Sequence, residues 1–167
     1  PDRALQTSDP EHWNKWVDLL AVTAGTKIDS IDDLKHALAL RHQAFHDLGC
    51  RLSDHGLETC YAEDTNQVDA ERIFQSIRGR QSISEADQKR FAGMLMLFFG
   101  QLDSEKGWTK QLHLGALRNT NRRLFNEKGP DIDCDSIGDF PQARSLARYL
   151  SLLDKNNTLP QMILYNL

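Results

Sequence analysis

The sequence has 167 residues, of which 40% are hydrophobic, and its formal net charge is −4. That length suits one globular domain with an adequate core. The mild acidity provides no basic face for nucleic acid, and the longest apolar run, Met94 to Phe99, is far too short to span a bilayer. We therefore expect neither a nucleic-acid partner nor a membrane span. The chain begins at Pro1 without a signal-peptide core, which favours residues 1–167 being a single piece of a longer protein.

The cysteines indicate a reducing compartment. Cys50, Cys60 and Cys134 are odd in number and have unrelated spacings, with no CxxC pair among them. A zinc cage or a redox motif is therefore not expected. A bond between Cys50 and Cys60 is conceivable, but reduced thiols in a cytoplasmic protein fit the pattern better.

The first fifty residues predict two helices. Asp9 and Pro10 open the first helix, and Ser30 with Asp33 resembles a capping box at the start of the second, which Gly49 ends. Apolar residues recur at helical spacing in both: Trp13, Trp16, Val17, Leu20 and Ala24, then Leu34, Leu38, Phe45 and Leu48.

The middle of the chain predicts a strand, two helices and a second strand. The strand covers residues 50–56, and a helix from Val68 to Ile77 follows, ending at Gly79. Ser84 starts another helix, whose second half is apolar on all sides and is expected to be buried. The next segment, WTKQLHLGA, has the profile of a buried strand.

The last third predicts a loop, a helix and a third strand. Residues Leu124 to Asp139 have loop composition, and Asp139 is expected to cap a helix with Pro141 in its first turn. The apolar run MILYN at 162–166 is the third strand. Helices alternating with strands indicate right-handed crossovers and a parallel sheet, so the predicted class is helix-rich α/β. Three strands cannot close a barrel, which leaves a small open sheet or, as we favour, an arc of a larger one.

Polar residues follow the second predicted strand. His113 alternates with Leu112 and Leu114, so the leucines should face the helices while the imidazole faces the other way. A polar site satisfies both ring nitrogens better than a dry core does. Arg118 follows, and its planar guanidinium matches a carboxylate. The alternative is a surface arginine paired with an aspartate of the loop at 131–139.

The other candidate residues also have two interpretations each. Asp54 can accept hydrogen bonds from hydroxyl groups or transfer a proton, but aspartate is also common in turns. His55 can contact a ligand or be a buried histidine with its hydrogen bonds satisfied. Asn119 and Asn121 can bind hydroxyl groups or form the turn after the strand.

Four segments in order resemble one family: SDHGL (53–57), QLHLGALRN (111–119), DSIGD (135–139) and LPQMILYNL (159–167). They are similar to the uronate isomerases, also called glucuronate isomerases, of the amidohydrolase-like metal-dependent barrels. The resemblance extends from Pro1 and Asp2, which match the end of an Arg-Pro-Asp motif, to Leu167.

The resemblance implies part of a (β/α)₈ barrel, about strands five to seven with their helices. It implies interconversion of D-glucuronate with D-fructuronate and of D-galacturonate with D-tagaturonate. It also implies a divalent metal, with zinc as the expected ion, whose ligands lie mostly outside this chain. The implied assignments are Asp54 and His113 as catalytic, and Arg118, Asn119, Asn121 and His55 as substrate-binding.

The sequence departs from the family pattern in three places. It contains neither the His-x-His motif of the first strand nor the Asp-Ser-Arg motif of the eighth, and the arginine before Pro1 is missing. The expectation is that these 167 residues alone are inactive.

Two other functions remain open at this stage. One is a metal-dependent hydrolase of the same superfamily, and the other is a non-catalytic helical interaction module. Unpaired strand edges would also permit a homo-oligomer. His42 and His46 have zinc-compatible spacing but are interpreted as solvated helix residues, and Asp131, Asp133 and Asp135 lack the glycine of a calcium loop.

Overall fold

The computed structural model describes residues 2–130, 132 and 134–166, apart from the side chain of Asn166. A short 3₁₀ helix, Asp2–Leu5, precedes the regular elements. The helices are α1 (Pro10–Ala24), α2 (Ile31–Asp47), α3 (Gln67–Arg78), α4 (Glu85–Lys106), α5 (Arg122–Lys128) and α6 (Ala143–Lys155). The strands are β1 (Leu52–Leu57), β2 (Thr109–Leu114), β3 (Ala116–Leu117), β4 (Ser136–Ile137) and β5 (Gln161–Asn166).

A three-stranded parallel sheet in the order β1-β2-β5 organises the molecule. The parallel pairing confirms the predicted α/β class with its high helix content. It also contradicts the helical-module alternative, because the three apolar runs are strands. Among the described helices, none has the length and apolar character needed to cross a membrane.

The two faces of this sheet differ in burial. Residues alternate along β2, so that Lys110, Leu112 and Leu114 are buried while His113 on the opposite face is partly exposed. Successive side chains of a strand point to opposite faces, so this alternation shows that the helices cover one face of the sheet and leave the other uncovered. We call the uncovered face, formed by residues such as Asp54, His113 and Tyr165, the open face.

The core between the helices and the sheet is built on aromatic side chains. Trp13 of α1 lies between Phe74 of α3 and Phe91 of α4, with ring centroids 6.0 and 5.9 Å away in edge-to-face geometry. The Trp13 indole also donates a hydrogen bond to the Ala4 carbonyl at 3.0 Å. These contacts attach the start of the chain to the helical layer.

The helix starts confirm the capping signals of the sequence. The Asp9 side chain accepts hydrogen bonds from two backbone N–H groups of α1. Ser30 and Asp33 form a reciprocal capping box at α2, and Ser84 caps α4. Side-chain caps satisfy N–H groups that have no partner within the helix, so these short polar residues fix where each helix begins.

The prediction for the last third was wrong in two places. The segment expected to be a loop contains helix α5 and strand β4, and β4 pairs antiparallel with β3. Asp139 does not cap the final helix, which starts at Ala143 after Gln142 without a side-chain cap. The reason is tertiary, since Thr59 donates to the Pro141 carbonyl at 3.0 Å and Gln142 donates to that of Glu58 at 2.6 Å.

The sequence interpretation expected solvated helix residues, whereas His42 and His46 are both partly buried. The rings of both lie against Trp108, with centroids 4.0 and 6.2 Å from it. The Trp108 indole donates to His46 Nδ1 at 2.9 Å, and His42 Nε2 lies 3.0 Å from Asp103 Oδ1. Of the calcium-like aspartates, Asp131 and Asp133 lie outside the described residues.

Replacement of Gly93 by alanine should destabilise the fold, although alanine normally favours a helix. A Cβ at this position of α4 would lie 2.8 Å from the backbone nitrogen of Glu63, which cannot rotate away. Overpacking of this kind costs about 1–3 kcal/mol. We expect a lower thermal midpoint for Gly93→Ala and an unchanged one for Glu105→Ala, at an exposed position of the same helix. An unchanged midpoint for Gly93→Ala would show that the helix shifts without cost.

Candidate functional site

The open face brings Asp54, His113 and Tyr165 together. Strand pairing sets His113 opposite Tyr165, and the two rings stack with centroids 4.3 Å apart and planes 8° from parallel. The Nε2 atom of His113 lies 3.3 Å from Asp54 Oδ1 on the neighbouring strand. A carboxylate, an imidazole and a phenol therefore meet on an accessible surface, and the catalytic assignment of Asp54 and His113 stays a prediction.

Arg118 reaches the same edge of the sheet from the segment after β2. Gly115 adopts a φ of 88°, in the region that favours glycine, and the chain turns there into strand β3. The guanidinium then lies over Gly56 of β1, where an added Cβ would be only 2.6 Å from Arg118 Nη2. The absence of a side chain at Gly56 allows this close approach.

Asp135 holds Arg118 in this position. The guanidinium donates through Nη1 to Asp135 Oδ2, and the backbone N–H of Asn119 donates to Oδ1 at 3.0 Å. The Asn119 hydrogen bond, followed by the Arg118 contact, keeps the pKa of Asp135 below its usual range. This ion pair is the one anticipated by the alternative interpretation of Arg118. It uses one of the five N–H donors of the guanidinium.

Asn119 and Asn121 have structural contacts. Asn119 has a φ of 56°, a left-handed conformation that asparagine tolerates better than most residues. The side chain of Asn121 caps α5 by accepting the N–H of Leu124 at 3.1 Å. Both sets of contacts match the turn-forming alternative, and their assignment to substrate stays a prediction.

His55 lies on the opposite face of the sheet from His113. Its ring is buried, with Nδ1 2.6 Å from Asp2 Oδ1 and Nε2 3.0 Å from the Nζ of Lys110. The second oxygen of Asp2 accepts the backbone N–H of Gly56 at 2.9 Å. These contacts are those of a buried histidine with both nitrogens satisfied, so the substrate assignment of His55 stays a prediction.

Sequence reasoning missed the buried partners of His55. Lys110 Nζ lies 2.7 Å from Asp103 Oδ2 and 3.2 Å from Ser53 Oγ, and it is 0% exposed. The signal was present in the alternation of β2, because a lysine occupies the same face as Leu112 and Leu114. A charge at such a position requires a buried partner, but the sequence does not show which aspartate provides it.

Burial and hydrogen bonds act in opposite directions on these groups. Burial, followed by the charge of Lys110, lowers the pKa of His55 below its usual range, so the ring is neutral. Burial alone would raise the pKa of Asp2, yet the hydrogen bond from His55 brings it below its usual range. For Asp103, burial likewise raises the pKa, and the hydrogen bonds from His42 and Lys110 lower it overall.

The described residues do not include a metal centre. Across 2–130, 132 and 134–166, no group of three or more histidine, cysteine, aspartate or glutamate side chains could hold an ion.

The stability of the chain should fall in the pH window below 6.5 because of His55. The pKa of its ring is lowered from 6.5 in the folded state, so the unfolded chain takes up a proton first as the pH falls. Above pH 6.5, the pKa of the ring in the unfolded chain, His55 is neutral in both states and folding is not penalised. Below that pH, protonation of the ring in the unfolded chain lowers the free energy of unfolding. We expect the thermal midpoint of the native chain to fall more steeply in this window than that of His55→Asn, with exposed His12→Asn behaving as the native chain. Equal slopes for all three would contradict the assignment.

The family model and similar curated proteins point to the same family. The glucuronate isomerase family model matches residues 1–167. The chain is 54% identical over its whole length to a uronate isomerase of Opitutus terrae, covering 35% of that protein, and 47% identical to one of Cellvibrio japonicus, covering 36%. The chain thus spans about a third of the length of these relatives.

Solved structures agree with the sequence comparison. The glucuronate isomerase of Caulobacter crescentus matches 100% of this chain with a TM-score of 0.80 and 30% identity, over 34% of its own length. The uronate isomerase of Thermotoga maritima matches 99% of this chain with a TM-score of 0.85 and 26% identity, over 36% of its own length. The fold, the order of the four motifs and these matches together show that the chain belongs to the glucuronate isomerase family.

Proposed function

We propose that this chain is the part of a uronate isomerase that supplies one side of the substrate site. The complete enzyme would interconvert D-glucuronate with D-fructuronate and D-galacturonate with D-tagaturonate. The observation that carries the proposal is the open face, where Asp54 and His113 are in contact and Arg118 lies over the neighbouring Gly56. The names of the similar proteins support the same reaction.

Aldose–ketose isomerisation needs a proton to move between two adjacent carbons through an enediol. A base must accept the carbon-bound proton, and hydrogen-bond donors must stabilise the developing oxyanion. Asp54 and His113 are suited to these roles, because an acceptor and an imidazole lie 3.3 Å apart. The stacked ring of Tyr165 restricts the rotation of His113, which keeps its Nε2 directed toward Asp54.

Arg118 is the proposed ligand of the substrate carboxylate. Asp135 takes one N–H donor at Nη1, and among the described residues no other side chain accepts from the remaining donors, so those of Nη2 above Gly56 can bind a second carboxylate. In this arrangement Asp135 orients the guanidinium. The ion pair therefore does not compete with the proposed role, since a fork of donors can bind two carboxylates at once.

Three further residues complete the proposed substrate set. Asn119 and Asn121 follow Arg118 in the chain, and we propose that their side-chain amides bind sugar hydroxyl groups. The ring of His55 is buried on the inner face, so its proposed contribution to substrate binding is indirect, through its contacts with Asp2 and Lys110. All three assignments rest on the family resemblance.

The architecture of the complete enzyme is likewise a proposal. In a (β/α)₈ barrel, β1, β2 and β5 would be strands five, six and seven, and the open face would line the interior. The divalent metal of the family, expected to be zinc, would be held mostly by residues outside this chain. We propose a uronic acid as the small-molecule partner of the complete enzyme and the cytoplasm as its location.

A chimera provides the functional assay. These 167 residues replace the matching segment of the Opitutus terrae uronate isomerase, to which they are 54% identical. We expect the folded chimera to isomerise D-glucuronate. A chimera that folds with the thermal stability of the relative but lacks isomerase activity on both uronates would refute the proposed function.

Loss of the Arg118 guanidinium should impair substrate binding in this chimera. Arg118→Ala removes charge-assisted hydrogen bonds to the carboxylate, and the expected loss in kcat/KM is about 10- to 100-fold. Arg118→Lys should recover only part of the loss, because an ammonium cannot form the bidentate contact. The control is Arg122→Ala, an exposed arginine four residues further on. Equal kinetics for the Arg118 and Arg122 variants would remove Arg118 from the site.

Alanine at Gly56 should disturb binding without unfolding the protein. The new Cβ would approach Arg118 Nη2 to 2.6 Å, and the flexible guanidinium is the group that moves. We expect a higher KM for D-glucuronate in the chimera carrying Gly56→Ala, with an unchanged thermal midpoint as the internal control. An unchanged KM would show that the position of the guanidinium over Gly56 does not matter for binding.

A further inference from the structure

A continuous line of hydrogen bonds runs through the core from α4 to the end of β1. Asp103 Oδ2 lies 2.7 Å from Lys110 Nζ, which lies 3.0 Å from His55 Nε2. His55 Nδ1 contacts Asp2 Oδ1 at 2.6 Å, and Asp2 Oδ2 accepts the Gly56 N–H at 2.9 Å. The line ends at the residue over which the Arg118 guanidinium lies.

We propose that Lys110 and His55 are positioning residues, which connect buried Asp103 to Asp2 and thereby hold the backbone of Gly56 under Arg118. The catalytic meaning of this role rests on the proposed function, whereas the structural connection does not. Neither side chain reaches the open face, so both act through Asp2 and Gly56.

The chemistry of the groups fixes the direction of each hydrogen bond. The Asp2 carboxylate has no hydrogen to donate, so Nδ1 of His55 must be the donor to it. The buried ring is neutral and has a single N–H, and its Nε2 must therefore accept a hydrogen bond from Lys110. The ammonium has three donors, and its three neighbours Asp103, Ser53 and His55 each offer an acceptor. One tautomer of His55 is thus compatible with the structure.

Stability alone is a weak explanation for a lysine in this place. Desolvation of a buried ion pair often cancels its Coulombic attraction, and apolar residues of similar size are frequently as stable or more stable. The neighbouring inward positions of β2 are occupied by Leu112 and Leu114. A directional network gives what an apolar side chain cannot, namely a fixed position of one backbone N–H relative to α4.

The position of the Gly56 backbone affects the site on the open face directly. Without a side chain, its backbone is the surface on which Arg118 Nη2 lies. A displacement of the end of β1 would therefore move the guanidinium and the adjacent Asp54 together. Because the proposed reaction depends on the relative positions of these groups, small shifts should be costly.

The test separates positioning from stability by means of a paired substitution. Lys110→Met alone leaves Asp103 buried without its cation and should lower the thermal midpoint. The double variant Asp103→Leu with Lys110→Met removes both charges, so most of the lost stability should return. Exposed Lys155→Met is the control. The readout is the Gly56 amide in the 167-residue chain, followed by ¹H–¹⁵N correlation and hydrogen exchange.

The proposal predicts that exchange at Gly56 becomes about 10- to 100-fold faster in the double variant, even where its midpoint equals that of the native chain. A native-like exchange rate of the Gly56 amide in the stable double variant would overturn the proposal.

A second measurement needs no variant: ring ¹⁵N shifts of His55 in the native chain should show hydrogen on Nδ1 and none on Nε2. The opposite tautomer would also overturn it.

These readouts require no catalysis, so the two proposals can fail separately. If the chimera is inactive but hydrogen exchange at the Gly56 amide becomes faster in the double variant, the isomerase function is refuted and the positioning role stands. In an active chimera, the double variant should lower kcat/KM for D-glucuronate about tenfold or more. If the chimera is active and the double variant leaves its kcat/KM unchanged, the proposed function stands and the positioning role is refuted.

Discussion

The parallel register of β1, β2 and β5 is the constraint on which the site depends. It places Gly56, His113 and Tyr165 side by side across three strands. From this alignment follow the stacked rings, the approach of His113 to Asp54 and the bare backbone on which Arg118 lies. A shift by one residue would send every one of these side chains to the opposite face, because strand side chains alternate with a period of two.

Two kinds of interaction maintain that register from the helical side. Apolar side chains such as Leu112 are buried against the helices and contribute most of the stabilisation. The polar line through Lys110 and His55 adds direction, since a hydrogen bond specifies both partners and an angle, whereas apolar contacts tolerate sliding. The two faces of the sheet therefore differ in environment: the inner face is packed against the helices, and the open face leaves Asp54, His113 and Tyr165 accessible.

The asymmetry of the two histidines illustrates this division. His55 and His113 lie on neighbouring strands at the same edge, yet one is buried between Asp2 and Lys110 and the other is accessible beside Tyr165. Strand parity accounts for the difference. In this family member, the reach of Arg118 across β1 then joins the open face to the loop that contains Asp135.

The sequence by itself determined the local elements: the caps at Asp9, Ser30 and Ser84, the three parallel strands and the orientation of His113 follow from short-range patterns. It also identified the family through four ordered motifs. Only the tertiary structure decided which distant partners meet, such as Lys110 with Asp103, and Thr59 with the Pro141 carbonyl just before α6. The physical reason is that caps and periodicity act within a few residues, whereas buried charges and long loops are satisfied by groups that the chain brings together only when it folds.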